Sequence, residues 1–254
     1  MNPPALGLVG FTARHFRPGG LYTFVGAGGK SSGMRAVAAC LRRVGLRVRV
    51  STTTRVGIDE FAAYPAAAVR TAGALAACLA GSEPLLLIAG DIDEQHGKYG
   101  GVVASLLEGA AIPPDTVVLV EGDGSRGLPL KAPTEWEPVI PSNSRCVFAL
   151  MGAGAFGENI DAACCYNHEG VLSLLGCAGG IFDAPALLTL AADSRGCRKG
   201  VLPGMDFHLV VNQGDLVEKR PIALELVRKL FELHGIRSTL LSWQKETVYE
   251  STAG

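Results

Sequence analysis

Phe24-Val25-Gly26-Ala27-Gly28-Gly29-Lys30-Ser31-Ser32 is the stretch of sequence that decides the fold. It follows a short apolar run that predicts a strand, and it precedes apolar residues at helical spacing. A strand, a glycine-rich turn and a helix in this order predict a phosphate-binding loop, because glycines let backbone amides point at a phosphate and the helix N-terminus adds partial positive charge. The residues expected to bind nucleotide here are Gly26, Ala27, Gly28, Gly29, Lys30, Ser31 and Ser32.

Lys30 and Ser31 have distinct predicted roles in this loop. We expect Lys30 to reach the terminal phosphates and the Ser31 hydroxyl to bind Mg²⁺. The full P-loop pattern requires a glycine at position 24, where Phe24 stands. The pattern that remains, Gly-x-x-Gly-Lys-Ser-Ser, resembles the loop of the Mur ligases and folylpolyglutamate synthetases.

Two alternatives to a triphosphate loop are weaker. A dinucleotide fingerprint, Gly-x-Gly-x-x-Gly, would need its third glycine at Ser31, and the second predicted strand ends in Ser51 to Thr54 rather than in an acidic residue. A glycine turn with an incidental lysine is the other alternative. The order of strand, loop and helix favours a nucleoside triphosphate, ATP or GTP, bound with Mg²⁺.

Length and composition limit the class of protein. The chain has 254 residues, 48% of them hydrophobic, and a mean hydropathy of +0.28, which is enough for a substantial core. Because no linker, repeat or low-complexity segment interrupts it, we expect one domain, residues 1–254. A net charge of −1 excludes the electrostatic footprint of a nucleic-acid-binding protein. The apolar runs are too short to span a bilayer, and we do not expect residues 1–20 to form a signal peptide, because they lack a basic region and are broken by Pro3, Pro4 and Gly7.

The seven cysteines indicate a reducing compartment. None of them forms a Cys-x-x-Cys pair, which removes the usual zinc and thioredoxin signatures. An odd number of cysteines without a secretion signal predicts reduced thiols and a cytoplasmic location. The adjacent Cys164 and Cys165 are either a redox or selenium-handling pair or, as is more common, small buried hydrophobic residues.

Further candidate ligands follow predicted parallel strands, where such sheets bind their ligands. Thr53 and Thr54 end the second strand and are expected to touch phosphate or substrate, although they could equally cap the next helix. Glu121 ends the strand Thr116 to Val120, beside the loop, and is expected to hold Mg²⁺ or its water. Asp123 follows in a glycine-flanked turn as a base or second metal contact. A surface turn that merely contains acids is the alternative.

The remaining pattern predicts an alternation of strands and helices. Residues 1–20 are poorly patterned and predict a short arm on the domain. Gly90 to Gly100 predicts a polar loop, and His168, at the start of a predicted helix, is a candidate substrate contact or a cap. We expect strands at Leu21–Val25, Arg47–Ser51, Pro84–Ala89, Thr116–Val120, Arg145–Leu150, Phe207–Val211 and, last, Ser238–Ser242.

Asn212-Gln213-Gly214-Asp215 follows a late strand and predicts contact with a purine base. In GTPases, an Asn-Lys-x-Asp sequence at this place reads guanine through its aspartate. Here Gln213 replaces the lysine, so Asn212 and Asp215 are expected to contact the nucleotide with little discrimination between bases.

The sequence resembles the YqeC family, described as accessory proteins of selenium-dependent hydroxylases. The resemblance rests on the loop, on Thr52 to Thr54, on the long block from Glu121 to Pro141, and on Asn212-x-x-Asp215. Ser31-Ser32 and Gln213 depart from the threonines and lysine usual in the family. The resemblance implies a role in maturing selenium-dependent molybdenum hydroxylases, with a hydroxylase or cofactor-maturation protein as partner.

Together these features predict a three-layer α/β/α, P-loop NTPase-like fold with a mostly parallel sheet. Phosphoryl or nucleotidyl transfer would use Lys30, Glu121 and Asp123. Asp123 and Lys131, on one turn, would face a second substrate, and Ser125 is a further expected substrate contact. One rival is a Mur-type ATP-dependent ligase, although the 254 residues leave no room for the large further domains of those enzymes. The other is a non-enzymatic, nucleotide-gated chaperone that delivers cofactor.

Overall fold

The computed structural model describes residues 7–252. The helices are α1 (Leu8–His15), α2 (Lys30–Arg43), α3 (Ala72–Ala80), α4 (Ala104–Glu108), α5 (His168–Leu175), α6 (Ala184–Ala192) and α7 (Arg220–His234), with 3₁₀ turns at Ile58–Phe61 and Ala153–Ala155. The strands are β1 (Gly20–Gly26), β2 (Arg47–Thr52), β3 (Val56–Gly57), β4 (Ala66–Ala68), β5 (Leu85–Ala89), β6 (Ile92–Asp93), β7 (Lys98–Tyr99), β8 (Thr116–Glu121), β9 (Leu130–Lys131), β10 (Cys146–Gly152), β11 (Cys165–Tyr166), β12 (Asp206–Asn212), β13 (Ser238–Ser242) and β14 (Thr247–Ser251).

A nine-stranded sheet forms the centre of the fold, in the order β14-β13-β12-β10-β1-β8-β2-β5-β4. Every neighbouring pair is parallel except β13 and β14. Strand β8 lies between β1 and β2, and its Glu121 is in register with Phe24 on one side and Thr52 on the other. The glycine loop, the threonine run and Glu121 therefore meet at one carboxyl edge of the sheet.

Helices cover both faces of this sheet, which confirms the predicted three-layer α/β/α architecture. Successive residues of β8 alternate between the faces: Val117 and Leu119 pack in the core beneath α1 and α2, whereas Val118 and Val120 pack against α3 and α4. Helices α5, α6 and α7 cover the rest of the second face. Because strands of this kind bury both sides, they appear in sequence as continuous apolar runs.

Three parts of the fold differ from the sequence expectations. The arm predicted for residues 1–20 contains helix α1, whose Leu8 and Phe11 are buried; positions 1–6 lie outside the described residues. The polar loop Gly90 to Gly100 contains the hairpin β6–β7, which pairs with β3 in a small antiparallel sheet. The last strand is β14 rather than Ser238–Ser242. The two-residue strands β6 and β7 carry too few residues to show a periodicity.

Within residues 7–252, none of the helices is both long and apolar enough to cross a membrane. The longest is α7, with 15 residues, and a bilayer-spanning helix needs about 20 apolar ones.

Arg49 is an unexpected buried charge in the middle of β2. Its side chain is fully buried, and its guanidinium donates hydrogen bonds of 2.7 Å each to the carbonyl oxygens of Cys78, Gly81 and Glu83. These carbonyls lie at and just after the C-terminus of α3, where backbone acceptors have no partner within the helix. Arg49 therefore ties the end of α3 to the sheet.

We expect Arg49→Met to lower the free energy of unfolding by about 3 kcal/mol, because three carbonyls lose a charged donor together. Urea denaturation measures the loss. Arg42→Met is the matched control, since Arg42 is exposed on α2, and it should change the free energy of unfolding by less than about 0.5 kcal/mol. Equal midpoints for the two variants would contradict the role assigned to Arg49.

Candidate phosphate-binding site

The glycine loop connects the carboxyl end of β1 directly to the first residue of α2, Lys30. Gly28 has a φ of +87°, and a Cβ there would lie 2.2 Å from the backbone nitrogen of Gly152. Gly29 has a φ of +115°, and a Cβ there would lie 2.6 Å from the side-chain nitrogen of Asn212. Both the backbone conformation and the close packing of this loop therefore require glycine.

The amide groups of the loop divide into two sets. Those of residues 26–28 are hydrogen-bonded within the protein, at 3.0 to 3.1 Å, to Asp123 Oδ2, Leu150 O and Leu128 O. Those of residues 29–32 have no acceptor within the described residues 7–252. The sequence analysis expected residues 26–28 to bind nucleotide, but their amides instead hold the loop in shape. The amides left for an anion are those at the N-terminus of α2.

Lys30 is folded back onto the loop. Its side chain is only 2% exposed, and Nζ lies 2.6 Å from the carbonyl oxygen of Gly26, 3.3 Å from Asp123 Oδ1 and 3.6 Å from Glu121 Oε1. Burial alone would lower the pKa of Lys30, but the two carboxylates outweigh it and raise the pKa above its ordinary value. The lysine is therefore a charged member of a buried ion cluster at the floor of the site.

Asp123 and Lys131 complete this buried ion cluster. Lys131 Nζ lies 3.0 Å from Asp123 Oδ2, 2.8 Å from Glu137 Oε2 and 2.7 Å from the carbonyl oxygen of Gly124. Asp123 is 1% exposed and Lys131 is 3% exposed, so neither faces open space. The expectation that Asp123 acts as a base and Lys131 faces a second substrate does not fit this placement. Both are positioning residues, because they hold the loop and the segment after β8 together.

The side-chain oxygen atoms of Ser31 and Glu121 lie beside the amides of residues 29–32 that have no acceptor, which we call the open amides. The Ser31 hydroxyl lies 3.4 Å from Glu121 Oε2 and also donates to Glu60. Burial raises the pKa of Glu121 to about 7, although Lys30 opposes the rise. Carboxylate and hydroxyl oxygens suit Mg²⁺, which commonly takes few protein ligands and completes its shell with phosphate oxygens and water. The residues present therefore fit a Mg²⁺ ion held by Ser31 and Glu121. In the described part of the chain, no cluster of three or more His, Cys, Asp or Glu residues offers another metal site.

An open cavity of about 510 Å³ lies over this edge of the sheet. Its volume is within the range of small-molecule sites. Five basic side chains and three acidic ones line it, so the surroundings favour an anion. The basic residues are Lys30, Arg35, Arg55, Lys98 and Arg126, and the acidic ones are Glu60, Glu121 and Glu137.

The candidate substrate residues separate into two groups. Thr54 and Ser125 line the cavity, as expected for residues after parallel strands. Thr53 does not: its hydroxyl donates a 2.7 Å hydrogen bond to the carbonyl oxygen of Val139. His168 begins α5 and is not among the residues that line the cavity.

Asn212 and Asp215 are not placed as base-reading residues. The Asn212 side chain donates to the carbonyl oxygen of Gly28 at 2.8 Å and accepts from the backbone N–H of Trp243 at 3.1 Å. Asn212 therefore braces the loop against the end of β13. Neither Asn212 nor Asp215 lines the cavity, and Gln213 accepts a 2.9 Å hydrogen bond from the Gly154 amide.

The cavity residues that the sequence analysis did not single out include Glu60, Arg126 and Tyr166. Glu60 comes from a 3₁₀ turn that the sequence marks only by two acids after Gly57. Arg126 lies over the ring of Tyr166, with its guanidinium carbon 5.0 Å from the ring centroid. Nothing local in the sequence distinguishes Tyr166, since strand β11 brings it to the site by pairing with β9.

The adjacent Cys164 and Cys165 are a partly buried and a buried thiol. All seven cysteines are free thiols, and Cys165 is buried. Burial raises the pKa of Cys165 to about 12, which keeps the thiol protonated and unreactive at neutral pH. Cys164 donates to the carbonyl oxygen of Asn159. Of the two sequence interpretations, the structure favours small, largely buried residues.

A mostly parallel sheet, a glycine loop at its carboxyl edge and a lysine at the first position of the following helix define a P-loop-like α/β protein. Within that class the chain belongs to the YqeC family, because the family model described as YqeC protein matches residues 22–169, more than half of its length.

Two individual proteins are similar to this chain. A protein from Escherichia coli K12 described as "Uncharacterized protein YqeC" is 29% identical over 219 residues, which cover 85% of this chain and 84% of the relative. The crystal structure of HypB from Helicobacter pylori in complex with nickel is 11% identical, with a TM-score of 0.38, and the match covers 94% of this chain and 86% of that one. The second similarity is too distant to carry any functional argument.

The buried ion cluster predicts an energetic coupling between Lys30 and Glu121. We expect Lys30→Met to lower the free energy of unfolding of the ligand-free protein by about 3 kcal/mol, because it leaves the buried Glu121 carboxylate without its cationic partner. A buried carboxyl group whose pKa is raised on folding stabilises the folded protein less as pH rises and the group ionises. The decrease in the free energy of unfolding caused by Lys30→Met should therefore grow from about pH 6 to about pH 8. In a Glu121→Gln background the loss and its pH dependence should both shrink. Urea denaturation of the four proteins tests this, and strict additivity would refute the coupling.

Proposed function

We propose that this protein binds a nucleoside triphosphate with Mg²⁺ in the cavity at the N-terminus of α2. The observation that carries the proposal is the set of open amides at residues 29–32, which lie beside the oxygen atoms of Ser31 and Glu121. Phosphate groups are the ligands that helix N-termini of this kind bind best. The excess of basic side chains around the cavity supports the same class of ligand.

The protein's own groups have separable roles in this proposal. The amides of residues 29–32 bind phosphate oxygens, and Lys30 exchanges its carboxylate partners for the phosphate charge. Ser31 and Glu121 would hold Mg²⁺, which would neutralise part of the polyphosphate charge. Arg126 lies where it could contact an outer phosphate or a second substrate. Groups arranged in this way lower the barrier to phosphoryl or nucleotidyl transfer by stabilising developing charge.

We infer the biological role from membership of the family. The protein would act in the cytoplasm as an accessory factor for selenium-dependent molybdenum hydroxylases, with a hydroxylase or a cofactor-maturation protein as its partner. Its net charge of −1 argues against nucleic acid as a partner. A Mur-type ligase, which would activate a carboxylate as an acyl phosphate, is an alternative for the chemistry.

A nucleotide-gated chaperone is the second candidate function. It is favoured by the burial of Asp123 and Lys131, because the cavity then holds fewer groups that could act on an acceptor. Measuring phosphate release by the purified protein, with and without a molybdenum hydroxylase, distinguishes the candidates. Release by the protein alone supports a transferase or ligase, and release only with the hydroxylase supports the chaperone.

Nucleotide binding is the first test of the proposed function. We expect calorimetric titration to show binding of Mg-ATP and Mg-GTP within about tenfold of each other, which corresponds to about 1.4 kcal/mol, since neither Asn212 nor Asp215 lines the cavity. Lys30→Met should weaken both by about tenfold or more, because a charge-assisted contact is lost. Lys229→Met, which removes a lysine from the surface of α7, is the control and should bind as the wild type does. Equal affinities of wild type and Lys30→Met would place the nucleotide elsewhere.

The metal dependence is the second test. Glu121→Gln keeps the shape of the side chain and removes the charge that a hard cation prefers. At a fixed nucleotide concentration, we expect this variant to need about tenfold more Mg²⁺ for half-maximal binding, and Glu232→Gln on the exposed surface of α7 to need no more than wild type. An unchanged Mg²⁺ requirement in Glu121→Gln would assign the metal to other ligands, such as Glu60, which accepts a hydrogen bond from the Ser31 hydroxyl.

A further inference from the structure

A second cavity, of about 260 Å³, opens at the opposite edge of the sheet from the glycine loop. Its walls come from the C-terminus of α1 and from the amino-terminal ends of neighbouring strands, including Tyr22 of β1, Cys146 of β10 and His208 of β12. Its volume is about half that of the cavity over α2. It has no role in the function proposed above.

Four arginines and a single acid line this cavity: Arg14, Arg17, Arg145, Arg237 and Asp206. Arg237 pairs with Asp206 at 2.7 Å, which neutralises one guanidinium. Arg17 donates to the carbonyl oxygen of Ala13 and keeps its charge. Arg14 and Arg145 have no side-chain partner in the part of the chain that the structure describes. Three positive charges therefore surround the cavity without a counter-charge from residues 7–252.

Two histidines form the inner wall. The ring centroids of His15 and His208 are 4.4 Å apart. His208 is 2% exposed, its Nε2 lies 2.9 Å from the Thr239 hydroxyl, and its buried Nδ1 has no partner within residues 7–252. Burial, followed by the charges of Arg14, Arg237 and Arg17, lowers the pKa of His15 to about 4, although Asp206 opposes this. The pKa of His208 is also lowered, mainly by burial, so both rings are neutral at pH 7.

We propose that this cavity binds a phosphate group, either as inorganic phosphate or at the end of a small phosphorylated metabolite. Guanidinium groups match the geometry of phosphate oxygens, and three uncompensated charges suit a polyanion better than a single carboxylate. A neutral imidazole adds a hydrogen-bond donor without adding charge. At about half the volume of the first cavity, the site is suited to a phosphate rather than to a whole nucleoside triphosphate.

The histidine signals provide a readout specific to this site. Inorganic phosphate should shift the Cε1–H resonance of His15 in a saturable way and raise the pKa of His15, because a bound anion offsets the neighbouring arginines. The chain has five histidines, and His15→Asn identifies the resonance by its loss. Potassium chloride at equal ionic strength is the control for a general effect of salt on the charges around His15. A His15 resonance that responds equally to chloride, or not at all to phosphate, would overturn the proposal.

Charge-removing variants test which side chains hold the anion. Arg145→Gln and Arg14→Gln should each weaken phosphate binding, followed at His15, by about tenfold. Arg70→Gln is the matched control, since Arg70 is an exposed arginine beside Asp91 and is not part of this cavity, and it should bind phosphate as the wild type does. Equal losses in Arg145→Gln and Arg70→Gln would show a general charge effect and no site. Phosphate binding at the glycine loop leaves the His15 readout unchanged, so the two sites are tested separately.

Discussion

The buried ion cluster of Lys30, Glu121, Asp123, Lys131 and Glu137 is the interaction on which the site depends. Charges taken out of water are costly unless each has a partner at close range. Asp123 is the close partner of two lysines, Lys30 and Lys131, and its Oδ2 also accepts a hydrogen bond from the Gly26 amide. The glycine loop, the end of β8 and the segment that follows β8 are therefore fixed as one unit before any ligand arrives.

This arrangement makes ligand binding an exchange of partners. A polyphosphate that draws Lys30 away from Glu121 leaves a buried carboxylate without its cation, and a divalent metal is the group that can replace that charge. Nucleotide and metal would then each favour the binding of the other, with no need for a large movement of the backbone. The high pKa of Glu121 reflects the same imbalance, since the protein alone does not fully compensate this carboxylate.

The sequence predicted those features whose signals are local. The run Leu21 to Val25, the glycines and the helical pattern after Lys30 were enough for the strand, loop and helix, and the buried strands β5 and β8 follow from their apolar runs. The burial of Lys131 was not predictable, because β9 pairs with β11 about 35 positions away in sequence. The burial of Asp123 was not predictable either, because its carboxylate contacts the amide of Gly26, 97 positions away. Likewise Arg49 resembles a surface residue in an alternating strand until the end of α3 packs over it.

Asn212 has a consequence for genetics. Its side chain joins Gly28 of the loop to Trp243 at the end of β13, although neither Asn212 nor Trp243 lines the cavity. In a screen for loss of function, substitutions of Asn212 would be recovered together with those at the loop itself, whereas a substitution of Trp243 keeps the backbone N–H that donates to the Asn212 side chain. The positions recovered in the screen would then extend beyond the residues that a ligand contacts. A position outside the cavity, such as Asn212, would report on how the loop is held in place.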